Sequence, residues 1–145
     1  MGEIIAVCIS EKKGTVKTSV NSAHFIEDFG IEGDAHAGKW HRQISLLSFE
    51  SFEKFKDTVK IDIKYGAFGE NLLVKGLDLS KIEIGTEIIS NDVKMQVTQI
   101  GKVCHKDCEI RRLVGNCIMP TEGIFLKVLS SGTIKPGDGI CIEHI

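Results

Sequence analysis

Three of the five cysteines, Cys104, Cys108 and Cys117, fall within fourteen positions of one another. Sulfur transfer and soft-metal binding both need a thiolate. The neighbours Lys102, His105, Lys106, Arg111 and Arg112 supply the positive charge that favours one. Cys104-His105-Lys106-Asp107-Cys108 also has a C-x3-C spacing that suits zinc. A structural zinc site closes with a fourth ligand. His105 would have to turn back, or His36 or His41 arrive from elsewhere, to complete the three sulfurs. The third reading is a set of inert buried thiols. All three stay open on the residues alone.

A second stretch, Gly30-Ile31-Glu32-Gly33-Asp34-Ala35-His36-Ala37-Gly38-Lys39-Trp40-His41-Arg42, has glycines that permit left-handed turns and leave backbone N–H groups able to approach an anion. Lys39, His41 and Arg42 add charge suited to a phosphate. The plain alternative is a solvated loop whose glycines only serve turns. Gly66-Ala67-Phe68-Gly69-Glu70-Asn71-Leu72 is weaker alone, because Glu70 and Asn71 could merely satisfy backbone groups in a turn. Asp138 follows Pro136-Gly137 and reads as a turn residue, so the stretch from Gly123 to Ile140 is expected to close a barrel. The two loops are the glycine-rich, polar segments without strand periodicity. They are expected to converge on the cysteine segment and form one pocket.

Positioning these residues falls mainly to short strands. Ile4–Ile9, Gln43–Leu47, Leu72–Val74, Thr86–Ile89, Val93–Val97 and Ile140–Ile142 are apolar or alternate with period two. Lys17–Val20 reads as a polar strand after a turn at Glu11–Thr15, and Asn91-Asp92 as a tight hairpin turn. Two helices are expected. Ser48 caps the first, whose inner face is Phe49, Phe52, Phe55 and Val59. The second covers Glu109–Val114 and stops at Gly115-Asn116. Fifteen glycines with turns at short intervals favour a β-barrel or sandwich over an α/β sheet.

A length of 145 residues fits a single domain over 1–145, large enough for a real core. With 18 basic against 20 acidic side chains the chain lacks the basic excess of a nucleic-acid binder. No apolar run is long enough for a transmembrane helix, and Met1 leads into a strand-like segment without signal-peptide features. The expectation is a cytoplasmic protein with reduced thiols, which an odd cysteine count also suits.

Taken in order, Gly33-Asp34 with His36, Arg42-Gln43-Ile44-Ser45-Leu46, Gly69-Glu70-Asn71-Leu72, the cysteine segment after Val93–Ile100, Gly123-Ile124-Phe125 and the Gly132–Asp138 turn resemble the MOSC domain family. That family is named for the C-terminal domain of molybdenum cofactor sulfurase. The resemblance implies a mainly β, closed barrel with a few short helices that handles the molybdenum cofactor (molybdopterin) or activated sulfur on a cysteine. The chain looks like the small standalone bacterial form. On that resemblance the pyridoxal-phosphate desulfurase domain of fused members is not expected here, and pyridoxal phosphate belongs to those relatives. The extra N-terminal β-domain of the amidoxime-reducing members is not expected either.

The resemblance further implies a functional cysteine. Aligning on the strand before it selects Cys104, and counting back from Gly123 selects Cys108, with Cys117 third. Cys104 or Cys108 would ligate molybdenum or present sulfur. Gly33, Asp34, His36, Lys39, Arg42, Glu70, Asn71, Lys102, Arg111 and Arg112 would hold the cofactor. Partners would be cofactor-biosynthesis proteins or an acceptor molybdoenzyme, with no nucleic acid or membrane. Two rivals are a carrier or adaptor without chemistry and a zinc-stabilised structural domain.

Overall fold

The computed structural model describes residues 2–13, 15–59, 62–101 and 123–143. Its strands are β1 (Gly2–Ile9), β2 (Thr18–Val20), β3 (Ala23–Ile26), β4 (Gly30–Ile31), β5 (Ile44–Ser48), β6 (Leu72–Lys75), β7 (Glu87–Ser90), β8 (Val93–Ile100), β9 (Ile124–Ser130), β10 (Gly132–Ile134) and β11 (Gly139–Glu143). The helix α1 spans Phe49–Val59. The protein is mainly β, and its frame is a closed seven-stranded barrel. The strands run in the order β11-β7-β8-β9-β5-β6-β1. Closure comes from β1 pairing with β11, Gly2 opposite Ile140. Strand β2 extends β1 outside the ring, and β10, β3 and β4 form a small separate sheet.

Alternation explains the barrel. In β8 buried Val93, Met95 and Val97 point inward between half-exposed Lys94, Gln96 and Thr98. Ile4, Val7, Ile44, Leu46, Leu72, Ile88, Leu126 and Ile140 come from the other barrel strands into the same apolar cluster. Asn91 takes a positive φ of 54° at the β7–β8 turn, as asparagine tolerates. The closing turn before β11 is tied by Asp138, which accepts from Lys135 N at 2.9 Å and from Asn91 Nδ2 at 2.7 Å.

Strands β5 and β6 are parallel, so their connection must cross over outside the barrel. Helix α1 begins that crossover. Ser48 Oγ accepts from Ser51 N at 3.2 Å, the expected N-cap. Phe52 is fully buried, with Phe49 and Phe55 partly so, against Ala6, Cys8, Leu47, Phe68, Leu73 and Phe125. This second apolar layer lies on the outer faces of β1, β5, β6 and β9. The helix expected over 109–114 lies outside the described residues. The short strands β3 and β4 had no sequence expectation; at four and two residues they show too little periodicity to read. Among the described residues no helix is long and apolar enough to cross a membrane.

Candidate functional site

Lys17 and Asp34 form the centre of the polar part of the outer layer. Both side chains are wholly enclosed, and Lys17 Nζ lies 2.6 Å from Asp34 Oδ1. The ammonium also donates to Ser10 Oγ at 3.1 Å and approaches His36 Nδ1 at 3.0 Å. Asp34 accepts from Ser10 N and His36 N, both at 3.1 Å. This network pins the Gly30–Arg42 loop to the end of β1. Burial pulls the Lys17 ammonium below the usual lysine range, against the attraction of Asp34.

The loop then runs outward through aromatic contacts. His36 and Trp40 stack with ring centroids 6.2 Å apart and planes 7° from parallel. Trp40 Nε1 donates to the His36 carbonyl at 2.6 Å. The Arg42 guanidinium lies 4.8 Å from the Trp40 ring centroid and 5.7 Å from that of Phe125. Its Nε is buried and finds no hydrogen-bond partner among the described residues. A buried donor left in this state costs stability unless a ligand or water satisfies it. Lys39 and Gly33 are exposed, so of the loop residues expected to bind a cofactor, Asp34, His36 and Arg42 are brought together.

The Gly66–Leu72 turn meets the same network from below. Lys17 N donates to the Gly66 carbonyl at 2.8 Å. Gly66 has φ of 90°, and an added Cβ would sit 2.1 Å from the Lys17 carbonyl oxygen, so only glycine fits. Glu70 is completely buried and takes Gly66 N at 2.8 Å and Phe68 N at 3.0 Å. Burial pushes its carboxyl up to about 7. Asn71, equally buried, receives Ser45 N at 2.9 Å and donates to the Cys8 carbonyl at 3.0 Å. Glu70 and Asn71, expected to hold a cofactor, bond within the protein and shape the turn next to Lys17.

The cysteine segment is reached through its flanks. Gln99, Phe125 and Ser45 lie in register across β8, β9 and β5, and Asn71 N donates to the Ser45 carbonyl. Gly101 N donates to the Gly123 carbonyl at 2.8 Å, two residues beyond that row. Thr98 Oγ1 donates to the His41 carbonyl, which ties β8 to the loop. Cys104, Cys108, Cys117, Lys102, Arg111 and Arg112 lie outside the described residues. So does the expected convergence of the two loops on the cysteines. Among the described residues no cluster of metal-binding side chains occurs. Cys8 is a buried thiol pushed up to about 12 by burial and by Glu70, so it is inert at neutral pH.

A family model described as the MOSC domain matches residues 33–141, which span the Asp34 loop, the Glu70 turn and the barrel. The chain belongs to the MOSC domain family. That family is linked to molybdenum cofactor sulfurase. Solved structures agree on the MOSC fold. The YuaD protein from Bacillus subtilis superposes with a TM-score of 0.76 at 20% identity, covering 97% of this chain and 94% of that one. YiiM from Geobacillus stearothermophilus gives 0.75 at 19% identity, covering 99% of this chain and 76% of that one. YiiM from Escherichia coli gives 0.70 at 18% identity, covering 99% and 70%. No curated protein matches the sequence.

Three members of this candidate site escaped the sequence reading. Lys17 looked like one residue of a polar strand, and no local signal marks a lysine whose partner lies seventeen positions away. Trp40 and Phe125 stood within quoted motifs, but nothing in the sequence showed that both lie against Arg42.

Proposed function

We propose that this MOSC domain binds the molybdenum cofactor through Arg42 and its neighbours, with Cys104 or Cys108 as molybdenum ligand or sulfur carrier. The observation that carries the reading is the buried Nε of Arg42, without a hydrogen-bond partner among the described residues and flanked by Trp40 and Phe125. An anionic pterin fits such a donor, because a guanidinium pairs with phosphate or other acceptor-rich edges. When bound, the group would supply a molybdenum centre able to exchange oxygen or sulfur. Arg42 orients the ligand, with its guanidinium flanked by Trp40 and Phe125. The Lys17–Asp34 pair holds the loop in place. Lys39, Lys102, Arg111 and Arg112 are the further basic candidates to pair with the ligand's phosphate. The protein would work in the cytoplasm as a single domain, exchanging cofactor with a biosynthesis protein or an acceptor molybdoenzyme.

The test is mass spectrometry and metal analysis of protein purified from cells that make the cofactor. Bound pterin with molybdenum or a persulfide is expected. Arg42→Ala should weaken pterin affinity about tenfold or more. Cys104→Ser or Cys108→Ser should abolish loading with thermal stability nearly intact, and the working thiol should alkylate fast at neutral pH. Zinc in place of pterin, with unfolding on chelation, would establish a structural metal site instead. A protein that carries neither group, with all three clustered cysteines replaceable together, would be an adaptor.

A further inference from the structure

We propose that a β-bulge at Thr98 sets the seat of Arg42, with Thr98 a positioning residue for the anionic ligand. In the pairing of β8 with β9, Val97 lies opposite Leu126 and Gln99 opposite Phe125. Those two partners are consecutive, so Thr98 is an extra residue without a place in the ladder. A bulge of this kind re-aims a side chain. Here Thr98 Oγ1 lies against two carbonyl oxygens, that of His41 and, at 3.2 Å, that of Phe125. A hydroxyl has one proton, and the nearer His41 oxygen receives it.

This bond bears on Arg42 through the backbone. The His41–Arg42 peptide is planar, so holding its oxygen fixes the plane from which Arg42 departs. The other side of Arg42 is held by Gln43, which is wholly buried and whose Oε1 accepts from Val128 N at 2.9 Å. Arg42 is thus bracketed by two anchors, one on β8 and one on β9. Its side chain alone would not stay. A guanidinium whose buried Nε has no hydrogen-bond partner among the described residues gains by swinging toward water. The rings of Trp40 and Phe125, 4.8 and 5.7 Å from it, hold it only weakly. Thr98 touches both sides of this seat: the peptide that carries Arg42 and the backbone that carries Phe125. Gln43 keeps Arg42 near the barrel, and Thr98 decides its direction. The effect on ligand affinity rests on the cofactor-binding reading above; the coupling of Thr98 to Arg42 does not.

Trp40 is the single tryptophan, so its fluorescence in the full chain reports on the seat. Thr98→Val keeps the side-chain shape without the hydroxyl and should raise acrylamide quenching of Trp40. The same change made together with Arg42→Ala should add nothing to the quenching of Arg42→Ala alone. Thr98→Ser retains the hydroxyl and should restore native quenching. Native quenching in folded Thr98→Val overturns the proposal, as does an effect that persists in full beside Arg42→Ala. A Thr98→Ser that behaves like Thr98→Val overturns it too. If Thr98→Val does not fold, Thr98→Ala removes the same hydroxyl. A crystal structure of the native protein with Thr98 turned away from the His41 carbonyl overturns the proposal without any variant. Molybdopterin released from a molybdoenzyme serves as the binding probe, and Thr98→Val should bind it about three- to tenfold more weakly. Equal affinity of the native protein and folded Thr98→Val overturns the positioning role. No molybdopterin binding by a native protein, with quenching as expected, would end the cofactor reading and leave the coupling of Thr98 to Arg42 standing.

Discussion

Inside the barrel, Val7, Leu46, Leu72 and Leu126 are fully buried among apolar neighbours, whereas the outer faces of the same strands carry Ser45 and Asn71 beside Cys8. The named side chains of both layers are buried. The interior is held by area removed from water, which is non-directional and tolerant of substitution at constant volume. The outer layer joins an aromatic patch to the enclosed ions Lys17, Asp34 and Glu70, each tied to a named partner. Such a network gains little net stability from its ion pair but is costly to leave half satisfied. Directional bonds orient side chains, and apolar contacts alone do not. The candidate site therefore sits on the outside of the barrel, where the network can aim His36 and Arg42.

The largest expected effect tests that contrast. Asp34→Ala leaves the Lys17 ammonium buried and unpaired and should cost about 3–5 kcal/mol. Asp34→Leu combined with Lys17→Met should recover most of the loss, as measured by urea unfolding. Full additivity of the two changes would mean that the pair is not coupled. The interior should behave differently. Leu126→Ala should cost about 2–5 kcal/mol by opening a cavity, and removing a polar partner elsewhere should not rescue it.

Glu70 provides the next test. Its folded carboxyl is raised to about 7 from an ordinary 4.5, so the folded protein keeps a proton that the unfolded chain has lost. The stability it contributes is full below about pH 4.5 and is lost as pH rises through about 7. The loss should be on the order of 3 kcal/mol. Glu70→Gln does not titrate and should flatten this fall in a plot of urea midpoint against pH. An identical slope in the variant would show that another group is responsible. The smallest effect is expected at Lys39, which is exposed: Lys39→Ala should change stability by less than about 0.5 kcal/mol. A larger loss in thermal melts would extend the outer network to the tip of the loop.

Much of the frame was legible because its signals are local. Apolar runs and alternation marked β1, β5, β6, β7 and β11 within a residue or two and the first five residues of β8, and Ser48 announced the start of α1. The Asp138 turn was also readable, since Lys135 and Asp138 are close in sequence. Glu70 and Asn71 stood out in the sequence, but their enclosure was not evident. A carboxylate in a glycine-rich turn looks the same whether it faces a ligand or its own backbone. Only enclosure distinguishes the two, and enclosure depends on chain segments far away.

What the sequence determined by itself, then, is a barrel's worth of alternating strands, one capped helix, a family-specific order of motifs and a cluster of thiols with basic neighbours. The tertiary structure alone decided which charges lose their water. Lys17 reads as a surface residue until β2 and the Asp34 loop close over it. Arg42 reads as a surface cation until Trp40 and Phe125 flank it and its Nε is left buried without a partner among the described residues. The physical reason is desolvation. Strand periodicity is written residue by residue, but the environment of an ionisable group is set by whatever packs on it from the rest of the chain.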